Sequence, residues 1–369
     1  MISKECFSPQ WIDEISAKLE YKDKSLIEKV IRALSLLEML VQSGCPLTFK
    51  GGTALMLILG QSLHRLSIDI DIICPPETEI EQYLKTCRKH GFIRYQQVNK
   101  ESAGTDVPVS HAKVFYQIAY TDRSEKNEYI RLDVLYENCP YSNIQQLPIK
   151  SPFVKLDGEP LNVNVPKKED ILGDKMTAFA PNTIGIPFFK NDRECNMEII
   201  KQLYDINRLF ENVDDFRPAF DTFQKVSKVE LGYRGLEGRL NEFFEDVRQT
   251  AICIATRGQA GKGDIKFFLS GIKRVKSFMY KEKYQIEEAI KDASRAAYLA
   301  TCFEKGILDI KKYSGNPQSA VGIDISDALP AKLRKLKNIS PEAYYYWSMV
   351  DAIINNDNDL LNKEAKKLS

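Results

Sequence analysis

Apolar residues recur at helical spacing between Ser25 and Gly44: Ile27, Val30, Ile31, Leu34, Leu37 and Val41 share one face, and Gly44 with Pro46 ends the run. That pattern predicts a helix feeding a strand, Leu47 to Lys50. From Arg65 to Cys74 the period shortens to two. Leu66, Ile68, Ile70 and Ile72 alternate there with Ser67, Asp69 and Asp71, as in a strand with one face on a core. Between these strands Thr53 is placed to cap a helix from Ala54 to Leu63. A helix over Glu77–His90 follows. The stretches "HAKVFYQIAY" and "EYIRLDVLYE", separated by the charged turn "TDRSEKN", then read as a hairpin. In its second strand Ile130, Leu132 and Val134 alternate with Arg131 and Asp133. Pro140 and Pro148 to Pro152 break the sheet, and irregular or short extended structure is expected up to Val165. Beyond it Pro166 stands at a first helical position, with Leu172, Met176 and Phe179 along one face until Pro181. A further helix spans Met197 to Phe210, and the rest, Val213 to Ser369, keeps a helical period throughout.

The polar side of these elements carries the chemistry. Asp69 and Asp71 project side by side, roughly 6 to 7 Å apart along the strand, and two such anions call for a cation between them. Mg²⁺, which takes hard oxygen ligands, suits that geometry. Asp133, on the face opposite the core of a neighbouring strand, would complete a metal site. Gly51 and Gly52 are free to take positive φ and to turn backbone N–H groups toward phosphate oxygens.

Lys50-Gly51-Gly52-Thr53 followed by Arg65-x-Ser67-x-Asp69-x-Asp71 resembles the signature of the polymerase-β type of nucleotidyltransferase. More narrowly it resembles the AbiEii/AbiGii toxins of abortive-infection, type IV toxin–antitoxin systems, where K-G-G-T-x-L leads to R-x-S-x-D-[IL]-D. Ile68 stands where many relatives carry an acid, and it faces away from the carboxylates. The resemblance implies an α+β fold: a mixed-sheet nucleotidyltransferase core over residues 1–190, then an all-helical domain, 191–369. It implies an NTP as substrate, with Mg²⁺ or Mn²⁺ held by Asp69, Asp71 and Asp133. Phosphates would meet Lys50, Gly51, Gly52, Thr53, Arg65 and Ser67. Lys175, in the family's K-[LM]-x-A context, would add charge there, and Asp205 keeps the second acid of R-D-x-x-D-[LI], the first being replaced by Gln202. An ion pair of Asp205 with Lys201, four residues earlier on the helix, is the plainer alternative. A cellular acceptor such as a tRNA 3′ end, and an antitoxin encoded nearby, are implied in the same way. A small-molecule hydroxyl as acceptor, or a non-catalytic nucleotide- or RNA-binding module, would use the same fold.

Composition narrows these readings. With 43% hydrophobic and 28% charged residues over 369 positions, the chain is an ordinary globular one. A net charge of +1 excludes a protein that coats nucleic acid, so any RNA contact has to be local. Eight basic and two acidic residues between Arg257 and Lys283, around Ile265, Phe268, Leu269, Ile272, Val275 and Met279, give one basic amphipathic helix that could serve. Eight cysteines without a C-x-x-C pair, and only three histidines, point to neither zinc nor redox chemistry. No apolar run approaches the roughly 18 residues that span a bilayer, and the N-terminus lacks an apolar leader segment, so a cytoplasmic chain is expected.

Overall fold

A computed structural model describes residues 1–98, 108–119, 127–317 and 324–356. Most of the turn "TDRSEKN", and the helical expectation for 318–323 and 357–369, lie outside the described residues. Two compact units emerge: Met1–Lys168 with Ser277–Lys283, and Glu169–Lys276 with Tyr284–Ser369. Against the boundary expected at residue 190, packing divides the chain at Lys168. The physical reason is local: the helix that starts there buries Asp170 and Gly173 against Ala219, Thr222 and Phe223.

The first unit opens with α1 (Pro9–Leu19) and α2 (Lys24–Gln42), close to the predicted helix. Next come β1 (Thr48–Lys50), α3 (Gly51–Leu59), β2 (Ile70–Cys74), the short α4 (Ile80–Leu84), β3 (Arg94–Val98), β4 (Val109–Tyr116) and β5 (Glu128–Tyr136). The sheet runs β1-β2-β5-β4-β3, with β2 and β5 parallel and the other neighbours antiparallel. One face is apolar: Ile70, Ile72, Ile130, Leu132 and Val134 join Val30, Leu34 and Leu37 of α2 in a single buried core. Burial of these side chains, at roughly 1.5–3 kcal/mol each, is what fixes which face of every strand looks inward. A hairpin of β6 (Ile144–Pro148) and β7 (Asn162–Pro166) completes the unit.

Several local expectations shift. α3 begins at Gly51, with Lys50 as N-cap and no capping side chain, so Thr53 sits inside the first turn. β2 begins only at Ile70, because the residues before it pair elsewhere: Arg65 bridges to Met279, and the Leu66 N–H donates to the Phe278 carbonyl at 2.8 Å. Pro166 ends β7 rather than starting a helix. It is paired with Ile144 at the margin of a two-stranded ribbon, where the missing N–H costs little.

The second unit starts with α5 (Lys168–Ala178) and a small hairpin of β8 (Phe189–Lys190) and β9 (Arg193–Glu194), which the helical expectation did not foresee. Helices α6 (Asn196–Asn212), α7 (Arg217–Tyr233), α8 (Leu240–Ala255), α9 (Ile265–Val275), α10 (Ile286–Glu304), α11 (Leu336–Ile339) and α12 (Pro341–Ile354) follow. Buried alanines at 289, 293, 296, 297 and 300 make α10 thin enough to lie among its neighbours. Tyr344, Tyr345, Tyr346 and Trp347 of α12 are all buried in the core. No helix among the described residues is long and apolar enough to cross a membrane.

Helices α6 and α9 meet at Gly271, where an added Cβ would lie 2.4 Å from the Asn196 carbonyl oxygen. Backbone cannot yield there as a flexible side chain would. Gly271→Ala is therefore expected to destabilise the protein by about 1–3 kcal/mol, read as a lowered urea midpoint with an unchanged slope. A midpoint equal to that of the wild type would show that the helices are free to separate.

Candidate active site

The antiparallel register of β1 and β2 sets Lys50 opposite Asp71, and the parallel register of β2 and β5 sets Asp71 beside Asp133. On the far side of Asp133 stands His111 of β4. Since registered residues share a face, Lys50, Asp71, Asp133 and His111 form one polar row across the sheet, opposite the core. Pairing did what spacing alone could not. Asp69, just ahead of β2, and Arg131, two residues before Asp133, carry the same face one step further along the strands.

α3 rises directly from β1 over this row. Gly51 has φ +79°, and a Cβ there would fall 2.0 Å from an Asp71 carboxylate oxygen, so both conformation and space demand glycine. Gly52 differs from the expectation of a second left-handed residue, since positive φ occurs at Gly51 alone of the two. Its requirement is steric. A Cβ at 52 would lie 2.7 Å from Ser67 Oγ and 2.8 Å from Arg65 Nη2. The first turn of α3, without a capping side chain, thus has its N–H groups beside a serine hydroxyl and a guanidinium, an arrangement that receives phosphate oxygens. Arg65 is only 3% exposed and donates to the Leu66 carbonyl at 3.0 Å. Thr53 Oγ1 donates to the Asp69 carbonyl at 2.6 Å, which ties the first turn of α3 to the carboxylate segment. Lys50 Nζ lies 5.8 Å from the centroid of the Tyr141 ring.

Asp133 is brought to Asp71 but is not idle. Arg131 Nε donates to its Oδ1 at 2.8 Å, Arg131 Nη2 meets its Oδ2 at 2.6 Å, and His111 Nδ1 lies 2.5 Å from Oδ1. Burial works against the Arg131 charge, yet Asp133, and beyond it Asp69 and Asp71, outweigh burial and raise its pKa. Asp133 therefore meets the guanidinium directly, and the charges of Asp69 and Asp71 act on it in the same sense. Among the described residues no three His, Cys, Asp or Glu side chains form a ready set of metal ligands. The hard oxygens of Asp69 and Asp71 fit a divalent cation, whereas Asp133 is committed to Arg131 and His111. His111 and Arg131 were not among the residues read from the sequence. The available signal was their alternation onto the carboxylate face, with the strand pairing still unknown.

Lys175 and Asp205 lie in the second unit, in α5 and α6. Lys175 Nζ donates to Asp205 Oδ2 at 2.9 Å and to Gln202 Oε1 at 2.8 Å, and Asp205 is fully buried. The replacement of the first acid by Gln202 gains a reason: one ammonium meets one carboxylate and one neutral acceptor.

The family model described as "Nucleotidyl transferase AbiEii toxin, Type IV TA system" matches residues 33–289. Among solved structures, the nucleotidyltransferase toxin MenT4 of Mycobacterium tuberculosis H37Rv is similar with a TM-score of 0.50 and 15% identity, over 81% of this chain and 94% of that one. At that identity the likeness is one of fold. No curated protein matches the chain.

Because the Lys175–Asp205 pair is buried, Asp205→Ala strands an ammonium and is expected to cost about 3–5 kcal/mol of stability, measured by urea unfolding. Lys175→Met combined with Asp205→Leu should recover most of that loss. A single variant as stable as wild type would mean that the ammonium reaches water unaided.

Proposed function

The chain belongs to the AbiEii family, nucleotidyl transferase toxins of type IV toxin–antitoxin systems, and on that premise we propose that it transfers a nucleoside monophosphate from an NTP to the terminal hydroxyl of a cellular RNA, foremost a tRNA 3′ end. The observation that carries the reading is the contact of an uncapped helix N-terminus with paired carboxylates at Gly51 and Asp71. In the reaction a bond forms between the acceptor oxygen and the α-phosphorus while the bond to the β-phosphate bridging oxygen breaks, in line, and pyrophosphate leaves. The N–H groups of Gly51, Gly52 and Thr53, with Ser67, Arg65 and Lys50, hold the phosphates. Asp69 and Asp71 would hold Mg²⁺ or Mn²⁺, which when bound neutralises the triphosphate and its leaving group. Asp133 orients the site through Arg131 and His111. Lys175 and Asp205 enter the proposal from the family pattern, the buried pair keeping the ammonium in a single geometry. An antitoxin partner follows from the family.

Incubation with each labelled NTP, Mg²⁺ and total tRNA should label RNA, and Asp69→Ala or Asp71→Ala should lower transfer by roughly a thousandfold or more. Induced wild type should halt bacterial growth, and Asp69→Ala at equal abundance should not. Arrest by both would place the toxicity in binding rather than transfer, and transfer to a small molecule without RNA labelling would move the acceptor class.

Gly52→Val is expected to weaken NTP binding by at least about tenfold, more than it lowers the urea midpoint, since it crowds Ser67 and Arg65 at the first turn of α3. Unchanged nucleotide affinity with a lowered midpoint would assign the glycine to folding alone.

A further inference from the structure

The β8–β9 hairpin holds the one exposed phenylalanine ring of the described residues, and it holds it in a basic field. Asn191 and Asp192 at its tip both take left-handed backbone, with φ of 48° and 59°, which makes the two-residue turn of a tight hairpin. Phe189 is 58% exposed, yet its ring leans on Phe267 of α9 with centroids 5.8 Å apart, and Phe188 packs on the same ring at 5.3 Å. The base of the hairpin is tied down. Asn196 Nδ2 donates to Glu194 Oε2 at 2.9 Å, and Arg274 Nη1 of α9 donates to Asn196 Oδ1 at 2.8 Å. An exposed ring at the end of a mobile loop would lose much of its binding energy to ordering; this one is already placed.

α9 presents Lys266, Lys273 and Arg274 to solvent and has no acid within Ile265–Val275; Lys276 follows directly. Leu269, 43% exposed, lies between Lys266 and Lys273 on that face. The hairpin adds Lys190 and Arg193. Its acids are Asp192 and Glu194, with Glu198 of α6 pairing Arg193 at 2.7 Å and Asp264 capping α9. Burial raises the pKa of the Cys195 thiol, with Glu198 acting in the same sense, while Arg193, Lys190 and Arg274 oppose them, so these three cations share one neighbourhood.

We propose that this surface, the Phe189 hairpin with the basic face of α9, docks single-stranded RNA, one unstacked base on the Phe189 ring and the flanking phosphates on Lys190, Lys266, Lys273 and Arg274. The proposal rests on the reading that the acceptor is RNA and adds where its unpaired strand is held. Cations alone would fit any polyanion. The ring favours one class: a duplex keeps its bases paired and stacked, whereas a single strand offers an unstacked base beside every phosphate.

The test is fluorescence anisotropy of the full chain with a labelled single-stranded RNA of about twelve nucleotides and with a duplex of equal length. Wild type should prefer the single strand. Phe189→Ala and Phe189→Leu should each weaken binding by roughly tenfold, whereas Phe189→Trp should match or exceed wild type. Lys266→Glu with Lys273→Glu should flatten the dependence of log affinity on log salt by about 0.7 for each phosphate contact removed. Urea midpoints should be unchanged in the lysine variants, and Phe189→Leu, which keeps an apolar contact on Phe267, separates loss of the ring from loss of packing. Equal affinity of wild type and Phe189→Ala, or a leucine as good as the ring, overturns the proposal. So does polyglutamate that displaces the RNA as effectively as an RNA competitor of equal charge, which would give the surface to an acidic protein. RNA labelling by a Phe189→Ala protein of undiminished affinity would remove the docking surface and leave the acceptor reading standing; failure of wild type to bind or label any RNA would remove both.

Discussion

The first unit depends on one close approach. The Asp71 carboxylate lies in the space that a side chain at position 51 would fill, and it does so because β1 and β2 pair with Lys50 opposite Asp71. From that contact the rest follows. α3 starts immediately, without a linker or cap, so the N–H groups of its first turn open over the carboxylate face. Thr53 bonds the carbonyl of Asp69, and the distance between helix end and acids is held from both sides. A one-residue slip of β2 would turn Asp71 into the core and Ile70 or Ile72 out of it, at a cost of about 1.5–3 kcal/mol for each buried aliphatic exposed. The apolar face therefore enforces the geometry of the polar one.

Charge is managed by interleaving. Three aspartates on one sheet face would repel, and the fold sets Arg131 and His111 among them, with Lys50 at the other end of the row. The pKa of Arg131 is raised despite burial, because Asp133, Asp69 and Asp71 favour its charged form. The same rule operates in the second unit, where Lys175 is matched by Asp205 and by the neutral Gln202 rather than by two acids. Arg131 grips one carboxylate through two nitrogens and Lys175 is shared between two partners, and either arrangement fixes the position of the cation as well as its charge.

The segment Ser277–Lys283 belongs to the first unit although it follows α9 in the chain. It pairs with His64, Arg65 and Leu66, and Tyr280 donates its hydroxyl to the Leu63 carbonyl at 2.9 Å. The stretch leading into the carboxylates is thus shaped by residues more than two hundred positions away. That is why an alternation from Arg65 to Cys74 yields a sheet strand only from Ile70, and why a local reading of the period overran it.

The sequence by itself determined which face of each strand is buried, since alternation is a local property: Ile70, Ile72, Ile130, Leu132 and Val134 inward, Asp71 and Asp133 outward. It determined the helices α2 and α6 to within a few residues, and a glycine pair ahead of two aspartates was enough to indicate nucleotide chemistry. Only the tertiary structure decided what those residues touch. Strand order, the parallel register of Asp71 with Asp133, the arrival of His111 beside them, the reason Gly52 must be glycine and the partner of Lys175 all depend on which elements become neighbours. Periodicity records how a side chain leaves its own backbone; pairing and packing, set by residues far apart in the chain, determine what it meets.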